Sequence, residues 1–452
     1  MAYRQFTFSK HKLVLALVFT LAFIASFSIN KSFAAQVTLK TGMAQKFMTV
    51  GNGKTQTAYL HINLQGVNLS STKEREPVNV VIVIDKSGSM SGRKLQQAKR
   101  AAIMALGLLE RHDTISIITY SSRVDVLVPS THLDNRAMIE RRIEEIFAGG
   151  STALHAGVKE GGEQLLRYLD REHVNRLILL SDGLANVGPK SPSELARLGY
   201  KLVEKGISVT TLGLGMGYNE DLMTRLANVT DGNHAFVETA DELEKFFALE
   251  LGDITSVVAQ NIEIEIHIHP GILPKRTLWR KSTIKGNTVR ANIRQVYGAQ
   301  KKDLTLELQI PSGKPLGSFD IADVTITYKD MGAKKTTILK DKVSLTLTGS
   351  KQEAEASVDK DVMSRVVALQ AIEKNARAMK LRDDGKIKEA RKLYNSNAAY
   401  LKKQSTRLSS DSLAKQATQA GEYSQNLERG KWKKYRKIQK HDSRSLGASS
   451  KY

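Results

Sequence analysis

Val80-Val81-Ile82-Val83-Ile84-Asp85-Lys86-Ser87-Gly88-Ser89-Met90 is the stretch whose reading decides the fold. Its first five residues are all β-branched, so the run does not alternate between a wet and a dry face. Such a run suits a strand buried on both sides, as in a parallel sheet covered by helices. The strand ends on a carboxylate, and Ser87, Gly88 and Ser89 then give the composition of a tight loop. Helical spacing follows, with Leu95, Ala98, Ala102, Leu106 and Leu109 on one face.

The alternation continues outward. Residues 114–120, 123–128, 174–180, 207–214 and 234–237 read as strands. Residues 135–147, 153–168, 195–204, 220–228 and 241–251 read as helices. The short turn at Ser121-Ser122 requires an antiparallel neighbour for the third strand. The pattern predicts an α/β doubly wound, Rossmann-like sheet with helices on both faces. Sheets of this kind bind ligands beyond the carboxyl ends of their strands. The chemistry is therefore expected in the loops after Ile84, Phe147 and Leu180.

Those loops hold Asp85, Ser87 and Ser89, then Thr152 after Gly149-Gly150-Ser151, then Asp182 before Gly183. Two carboxylates and three hydroxyls form an all-oxygen set suited to a hard cation such as Mg²⁺. Two negative charges around a divalent ion leave it electrophilic toward an acidic ligand from outside. Read individually, Ser, Asp and Gly at strand–helix junctions are also turn formers and caps, and Ser91 and Ser151 fit that role. Lys86 is expected to point to solvent.

Residues 78–251 resemble a von Willebrand factor type A domain. Asp85-x-Ser87-x-Ser89, Thr152 and Asp182 match that family's metal-ion-dependent adhesion site in order and in loop position. The resemblance implies Mg²⁺, or Mn²⁺ or Ca²⁺, bound directly by Ser87 and Ser89. Thr152 would bind directly or through water. Asp85 and Asp182 would act mainly through water and hydrogen bonds. It further implies an open coordination position that accepts an Asp or Glu carboxylate from a protein partner.

Around this domain the chain divides by composition. Residues 1–34 have the layout of a secretory signal peptide, with Arg4, Lys10 and Lys12 before an apolar run and cleavage near Ala34. Residues 35–77 read as β-segments, and residues 256–350 alternate as strands, most clearly at Ile262-Glu263-Ile264-Glu265-Ile266-His267-Ile268. Together they suggest a flanking β-sandwich, with the α/β domain at 78–255 set between its parts. His267 and His269 share a face, which is expected to be a solvated strand face rather than a metal pair. Residues 351–452 read as an α-helical region: a face at Val362, Val366, Leu369 and Ile372, a break at Asp383-Asp384-Gly385, a second helix, and a third over 412–440. The layout resembles exported bacterial proteins of the inter-alpha-trypsin-inhibitor-heavy-chain-like or calcium-activated-chloride-channel-like group.

Charge follows the same division. The chain carries a formal net charge of +22 and no cysteine, which excludes disulfides, thiolate metal sites and cysteine nucleophiles. Residues 78–255 have 20 Lys+Arg against 24 Asp+Glu, whereas residues 351–452 have 24 against 12. The basic charge thus lies outside the α/β domain. Its densest run, from Arg429 to Lys440, interleaves with Trp432 and Tyr435. In an exported chain that run suits an anionic envelope surface rather than nucleic acid.

These readings lead to an exported protein, periplasmic or secreted to the cell surface, with no transmembrane helix in its mature form. Its expected function is metal-dependent protein binding as an adhesion or scaffold module, and not catalysis. The alternatives are a metal-dependent hydrolase and a structural envelope protein that works through its basic tail. His-Glu-x-x-His and Gly-x-Ser-x-Gly motifs do not occur, and His155, past Thr152, is expected on a helix surface.

Overall fold

The computed structural model describes residues 35–50, 53–68, 75–170 and 173–448. The expected export signal, residues 1–34, lies outside the described residues. Three strands come first: β1 (Val37–Met43), β2 (Phe47–Thr49) and β3 (Gln56–Gly66). The β-branched run is β4 (Val78–Asp85), followed by α1 (Arg93–Gly107), β5 (Thr114–Tyr120) and β6 (Val124–His132). Then come α2 (Arg136–Glu144), α3 (Leu154–Leu166), β7 (Val174–Ser181), α4 (Pro192–Glu204) and β8 (Ile207–Leu214). The series closes with α5 (Glu220–Val229), β9 (His234–Val237) and α6 (Leu243–Thr255).

Every residue of β4 is buried. Val80, Ile82 and Ile84 pack with Ala98 and Ala102 of α1 and Phe247 of α6. Val81 and Val83 face the other way, onto Val158 of α3, Leu195 of α4 and Leu222 of α5. Two apolar layers explain why the run has no polar positions. The strand order is β6-β5-β4-β7-β8-β9. Only β6 runs antiparallel, beside β5. The chain runs from β4 outward to β6, then returns to β7 on the other side of β4. That reversal opens a crevice at the carboxyl ends of β4 and β7.

Of the boundaries that differ from the sequence reading, two have plain local reasons. β6 continues through Pro129 to His132, because it is an edge strand whose proline faces solvent. α4 begins at Pro192, ahead of its apolar pattern, because Ser191 and Glu194 form a capping box around a proline in the first turn.

After α6 come β10 (Val257–Ile268), β11 (Leu273–Leu278), β12 (Thr283–Lys285), β13 (Thr288–Tyr297), β14 (Lys301–Ile310), β15 (Gly317–Asp330) and β16 (Lys335–Thr348). They form a sandwich with the first three strands. One sheet is β1-β3-β14-β11 and the other β12-β13-β10-β15-β16-β2. β3 pairs with β14 from Gln56–Ile310 to Gln65–Lys301, so chain from both sides of the α/β unit shares one sheet. Leu60, Ile62, Ile264, Ile266, Leu306 and Ile326 fill the core between the sheets.

The remaining helices are α7 (Lys351–Ala356), α8 (Lys360–Asp383), α9 (Ile387–Leu408), α10 (Asp411–Gln425) and α11 (Arg429–Ala448). Gly385, with φ of 81°, makes the turn after α8. The single helix expected over 412–440 is two helices. The Asn426 side-chain amide donates to the Glu422 carbonyl at 2.8 Å, and Arg382 Nε donates to the Leu427 carbonyl at 3.0 Å. Both bonds hold the chain out of helical register at that point. Among the described residues no helix is long and apolar enough to cross a membrane.

The basic end of the chain is not a free appendage. The Lys437 side chain is fully buried and donates to the Tyr218 carbonyl and to Glu220 Oε2, each at 2.6 Å. Its ammonium lies 3.7 Å from the centre of the Tyr218 ring. Arg436 pairs with Glu220, Asp221 and Asp383, and Lys440 with Asp221. Trp432 is 5% exposed and donates its indole N–H to Asp383 at 2.9 Å. Much of the tail's charge therefore neutralises the acidic start of α5, leaving Arg429, Lys431 and Lys433 exposed.

The seam between α11 and β9 should be sensitive to acid. His234 is buried, with Nδ1 2.8 Å from Thr211 Oγ1. Burial first, then His441, Arg444, Lys437 and Lys440, hold its pKa well below the ordinary 6.5. The unfolded chain therefore binds this proton before the folded chain does. Stability present above about pH 6.5 is lost as pH falls toward the depressed folded value. The urea midpoint should drop between about pH 7.5 and about pH 5.5, and drop less in His234→Gln. An equal drop in both proteins would remove His234 as the cause.

Candidate metal-ion site

The expected residues meet at the carboxyl ends of β4 and β7. Asp85 closes β4 and is fully buried. Its Oδ1 accepts the Ser87 N–H at 2.8 Å, and its Oδ2 accepts the hydroxyls of Ser181 at 2.8 Å and Tyr120 at 3.3 Å. Burial pushes the Asp85 carboxyl up, against the lowering effect of the bonds from Ser87 and Ser181. The carboxylate thus fixes the first turn of the loop and spans to β7.

Gly88–Met90 forms a single 3₁₀ turn, anchored by the buried Met90. The turn brings Ser87 Oγ within 3.2 Å of Ser89 Oγ, and Ser89 donates its hydroxyl to Asp182 Oδ1 at 2.6 Å. Ser91 donates to the Gly88 carbonyl at 2.8 Å, the turn-forming role expected of it.

Thr152 reaches the cluster from the third loop and is 4% exposed. Asn186 holds it from both sides: its Oδ1 accepts the Thr152 N–H at 2.7 Å, and its N–H donates to the Thr152 carbonyl at 3.1 Å. Backbone bonds tie the loops together, from Gly88 N–H to the Gly150 carbonyl at 3.0 Å and from Gly149 N–H to the Lys86 carbonyl at 2.8 Å. Gly150 has φ of 83°, and a Cβ there would lie 2.8 Å from Ser122 Oγ.

Gly183 shows how closely the hydroxyls converge. A Cβ at that position would lie 3.3 Å from Ser89 Oγ, 3.4 Å from Thr152 Oγ1 and 3.9 Å from Ser87 Oγ. Three hydroxyls on two separate loops thus surround one small cradle, with Asp182 bonded to Ser89 and Asp85 bonded to the Ser87 N–H. Neutral hydroxyl oxygens with two carboxylates fit a hard divalent ion. Among the described residues no group of three or more His, Asp or Glu is placed to hold a metal, so no carboxylate- or imidazole-rich site competes. His267 and His269 have ring centres 6.5 Å apart, and His269 Nε2 bonds Asp323 at 2.9 Å.

Two lysines frame the cluster differently. Lys86 turns away and pairs with Asp125 at 2.8 Å, where solvent had been expected. Lys94, in the first turn of α1, has its ammonium 2.5 Å from Asp182 Oδ2 and 3.3 Å from the Ser89 carbonyl. Sequence reading passed over Lys94. Its signal is the charge itself: Arg93-Lys94 places cations at a helix N-terminus, against the macrodipole, with no acid in that turn. A cation there needs a carboxylate nearby, and Asp182 supplies it. His155 lies partly buried on α3, where burial lowers its pKa and Glu194 opposes that shift.

Residues 79–249 match the model of the von Willebrand factor type A domain. The α/β unit at these residues has the von Willebrand factor type A fold. The uncharacterised protein YfbK of Escherichia coli (strain K12) is 30% identical over 201 residues, 44% of this chain and 35% of that protein. Inter-alpha-trypsin inhibitor heavy chain H3 of Mesocricetus auratus is 28% identical over 204 residues, 42% of this chain and 22% of that one. The chain thus spans about a third of YfbK and less of the heavy chain. A structure described as von Willebrand factor type A from Catenulispora acidiphila superposes with a TM-score of 0.65 at 15% identity, covering 85% of this chain and 90% of that one. That likeness extends the shared fold into the flanking parts.

Proposed function

We propose that the protein is an extracytoplasmic binding module that captures a partner protein through a divalent ion. The reading rests on the convergence of Ser87, Ser89 and Thr152 hydroxyls around Gly183, between Asp85 and Asp182. Mg²⁺ is the assigned ion, with Mn²⁺ or Ca²⁺ as substitutes of the same oxygen preference. Ser87, Ser89 and Thr152 would hold it, with Asp85 and Asp182 orienting them. A bound ion supplies an electrophilic position that an Asp or Glu of a partner protein can complete. The chain's own groups do the rest: Asp85 stiffens the loop, Asn186 pins Thr152, and buried Met90 fixes the serine turn. Export through residues 1–34 places this activity outside the cytoplasm, where Mg²⁺ and Ca²⁺ are available.

Calorimetry tests the ion and capture tests the partner. Mg²⁺ or Mn²⁺ should bind the full chain with one-to-one stoichiometry, and Asp182→Ala should weaken binding by at least about a hundredfold, or ~2.7 kcal/mol. Proteins retained from envelope extract in Mg²⁺ should be released by chelator and absent with the variant. Retention that ignores both changes would reject the metal bridge.

A further inference from the structure

A cavity of about 730 Å³ opens where α4, α5, the sandwich and α11 meet, away from the metal-site loops. Clefts of this size at junctions between structural units are the usual setting of small-molecule sites. Its walls are strongly basic. Arg225, Arg280, Lys281, Arg294 and Arg444 line it against only Asp231 and Glu263.

Three of these arginines are held inside the wall by specific contacts. Arg280 Nη1 bonds Asp231 and the Asn292 carbonyl, each at 3.3 Å. Arg294 Nη2 donates to the Val203 carbonyl at 3.0 Å, and Arg444 Nη2 donates to the Gly232 carbonyl. Nε of both Arg280 and Arg444 is buried without a hydrogen-bond partner. The Arg444 side chain is only 8% exposed. Burial depresses the pKa of Arg444 and Arg294, which measures how poorly their charge is solvated. Buried guanidinium N–H groups without acceptors are costly unless an acceptor arrives.

The backbone around the cavity also enters the left-handed region, which Asp and Asn tolerate and Trp does not. Asp231, Asn261 and Trp279 have φ of 52°, 52° and 64°, and all three line this cavity. They are half of the six described non-glycine residues in the left-handed region. Non-glycine residues in this region gather at ligand sites, where the surroundings hold them in place. Here Gly447 of α11 holds Trp279: a Cβ on Gly447 would lie 2.0 Å from the indole ring.

We propose that this junction cavity binds a small multivalent anion through carboxylate or phosphate oxygens that accept from its arginines. Guanidinium groups bind both oxygen classes by paired N–H donation. Arg225 and Lys281, exposed at the rim, attract the anion, and half-buried Arg280 and Arg294 with buried Arg444 receive it. The ligand would bridge all three parts of the molecule and stiffen their junction.

Trp279 provides the readout. The chain has two tryptophans, and the other, Trp432, packs in a separate helical cluster. Pyrophosphate and citrate, each titrated into the full chain in metal-free buffer at fixed ionic strength, should change the fluorescence saturably with Kd below about 1 mM. Trp279→Phe should lose the optical signal yet keep the heat of binding in calorimetry. The double variant Arg225→Glu, Lys281→Glu alters exposed rim residues and should bind at least tenfold more weakly while unfolding at the wild-type midpoint. Tighter pyrophosphate assigns a phosphate ligand, and tighter citrate a carboxylate ligand. A response that chloride reproduces, or affinity unchanged in the double variant, would overturn the proposal. The absence of metal keeps the result independent of the ion-bridge reading.

Discussion

Arg176→Met should lower the unfolding free energy by about 3–5 kcal/mol, the usual cost of stranding one partner of a buried ion pair. Arg176 lies within β7 and is fully buried. Its Nη1 donates to Glu250 Oε1 at 2.9 Å and to Thr210 Oγ1 at 3.0 Å. Its Nη2 donates to Gln295 Oε1 at 2.6 Å and to the Tyr297 hydroxyl at 2.8 Å. One side chain thus ties the parallel sheet to α6 and to β13 of the sandwich. Methionine fills similar volume but takes the guanidinium charge away from the buried Glu250 carboxylate, which still accepts from Thr210 and Asn233. Urea unfolding of the variant measures the loss. Adding Glu250→Leu should restore much of it, because the stranded charge is then gone. A loss under about 1 kcal/mol would mean that water reaches Glu250 after all.

Lys94→Met should tighten Mg²⁺ binding by about tenfold, or ~1.4 kcal/mol. The Lys94 ammonium lies against Asp182, whose side chain is fully buried while that of Lys94 is 39% exposed. A divalent ion beside Asp182 must displace that ammonium or tolerate its repulsion. Methionine keeps the aliphatic stem and removes both obstacles. The same change strands the Asp182 charge when metal is absent, so the variant should melt lower than wild type in chelator and gain more from added Mg²⁺. Calorimetry gives the affinity, and melting in chelator and in Mg²⁺ gives the linked stabilities. Binding that stays equal or weakens would show that Lys94 supports the ion rather than standing in for it.

Lys94 and Arg176 mark a common limit of sequence reading. Leu177 to Leu180 reads as an apolar strand, and Arg176 interrupts it without any local cue that its partners lie on α6 and β13. Lys94 sits five residues past Ser89, but its partner Asp182 is 88 residues away. The site loops were legible because their spacing is local and a parallel sheet places ligands at strand ends. Their support was not legible: Asn186 under Thr152, and Ser181 and Tyr120 on Asp85, depend on which loops become neighbours. The pairing of part of the tail's charge was not legible for the same reason. Arg436, Lys437 and Lys440 look like solvated charge until α5 presents Glu220 and Asp221, more than 200 residues away.

Taken alone, the sequence determined the doubly wound sheet, the alternating strands of the sandwich, the helical end and the loops that carry Asp85, Ser87, Ser89, Thr152 and Asp182. Each is written in short-range periodicity, since strands repeat every two residues and helices every 3.6. The tertiary structure decided how charge is spent. It put Lys94 on Asp182, buried Arg176 with Glu250, folded the basic tail back onto the α/β unit and gathered arginines around a junction cavity. Ion pairs and desolvated charges depend on distance in space and on access to water. Neither is encoded in the spacing of residues along the chain.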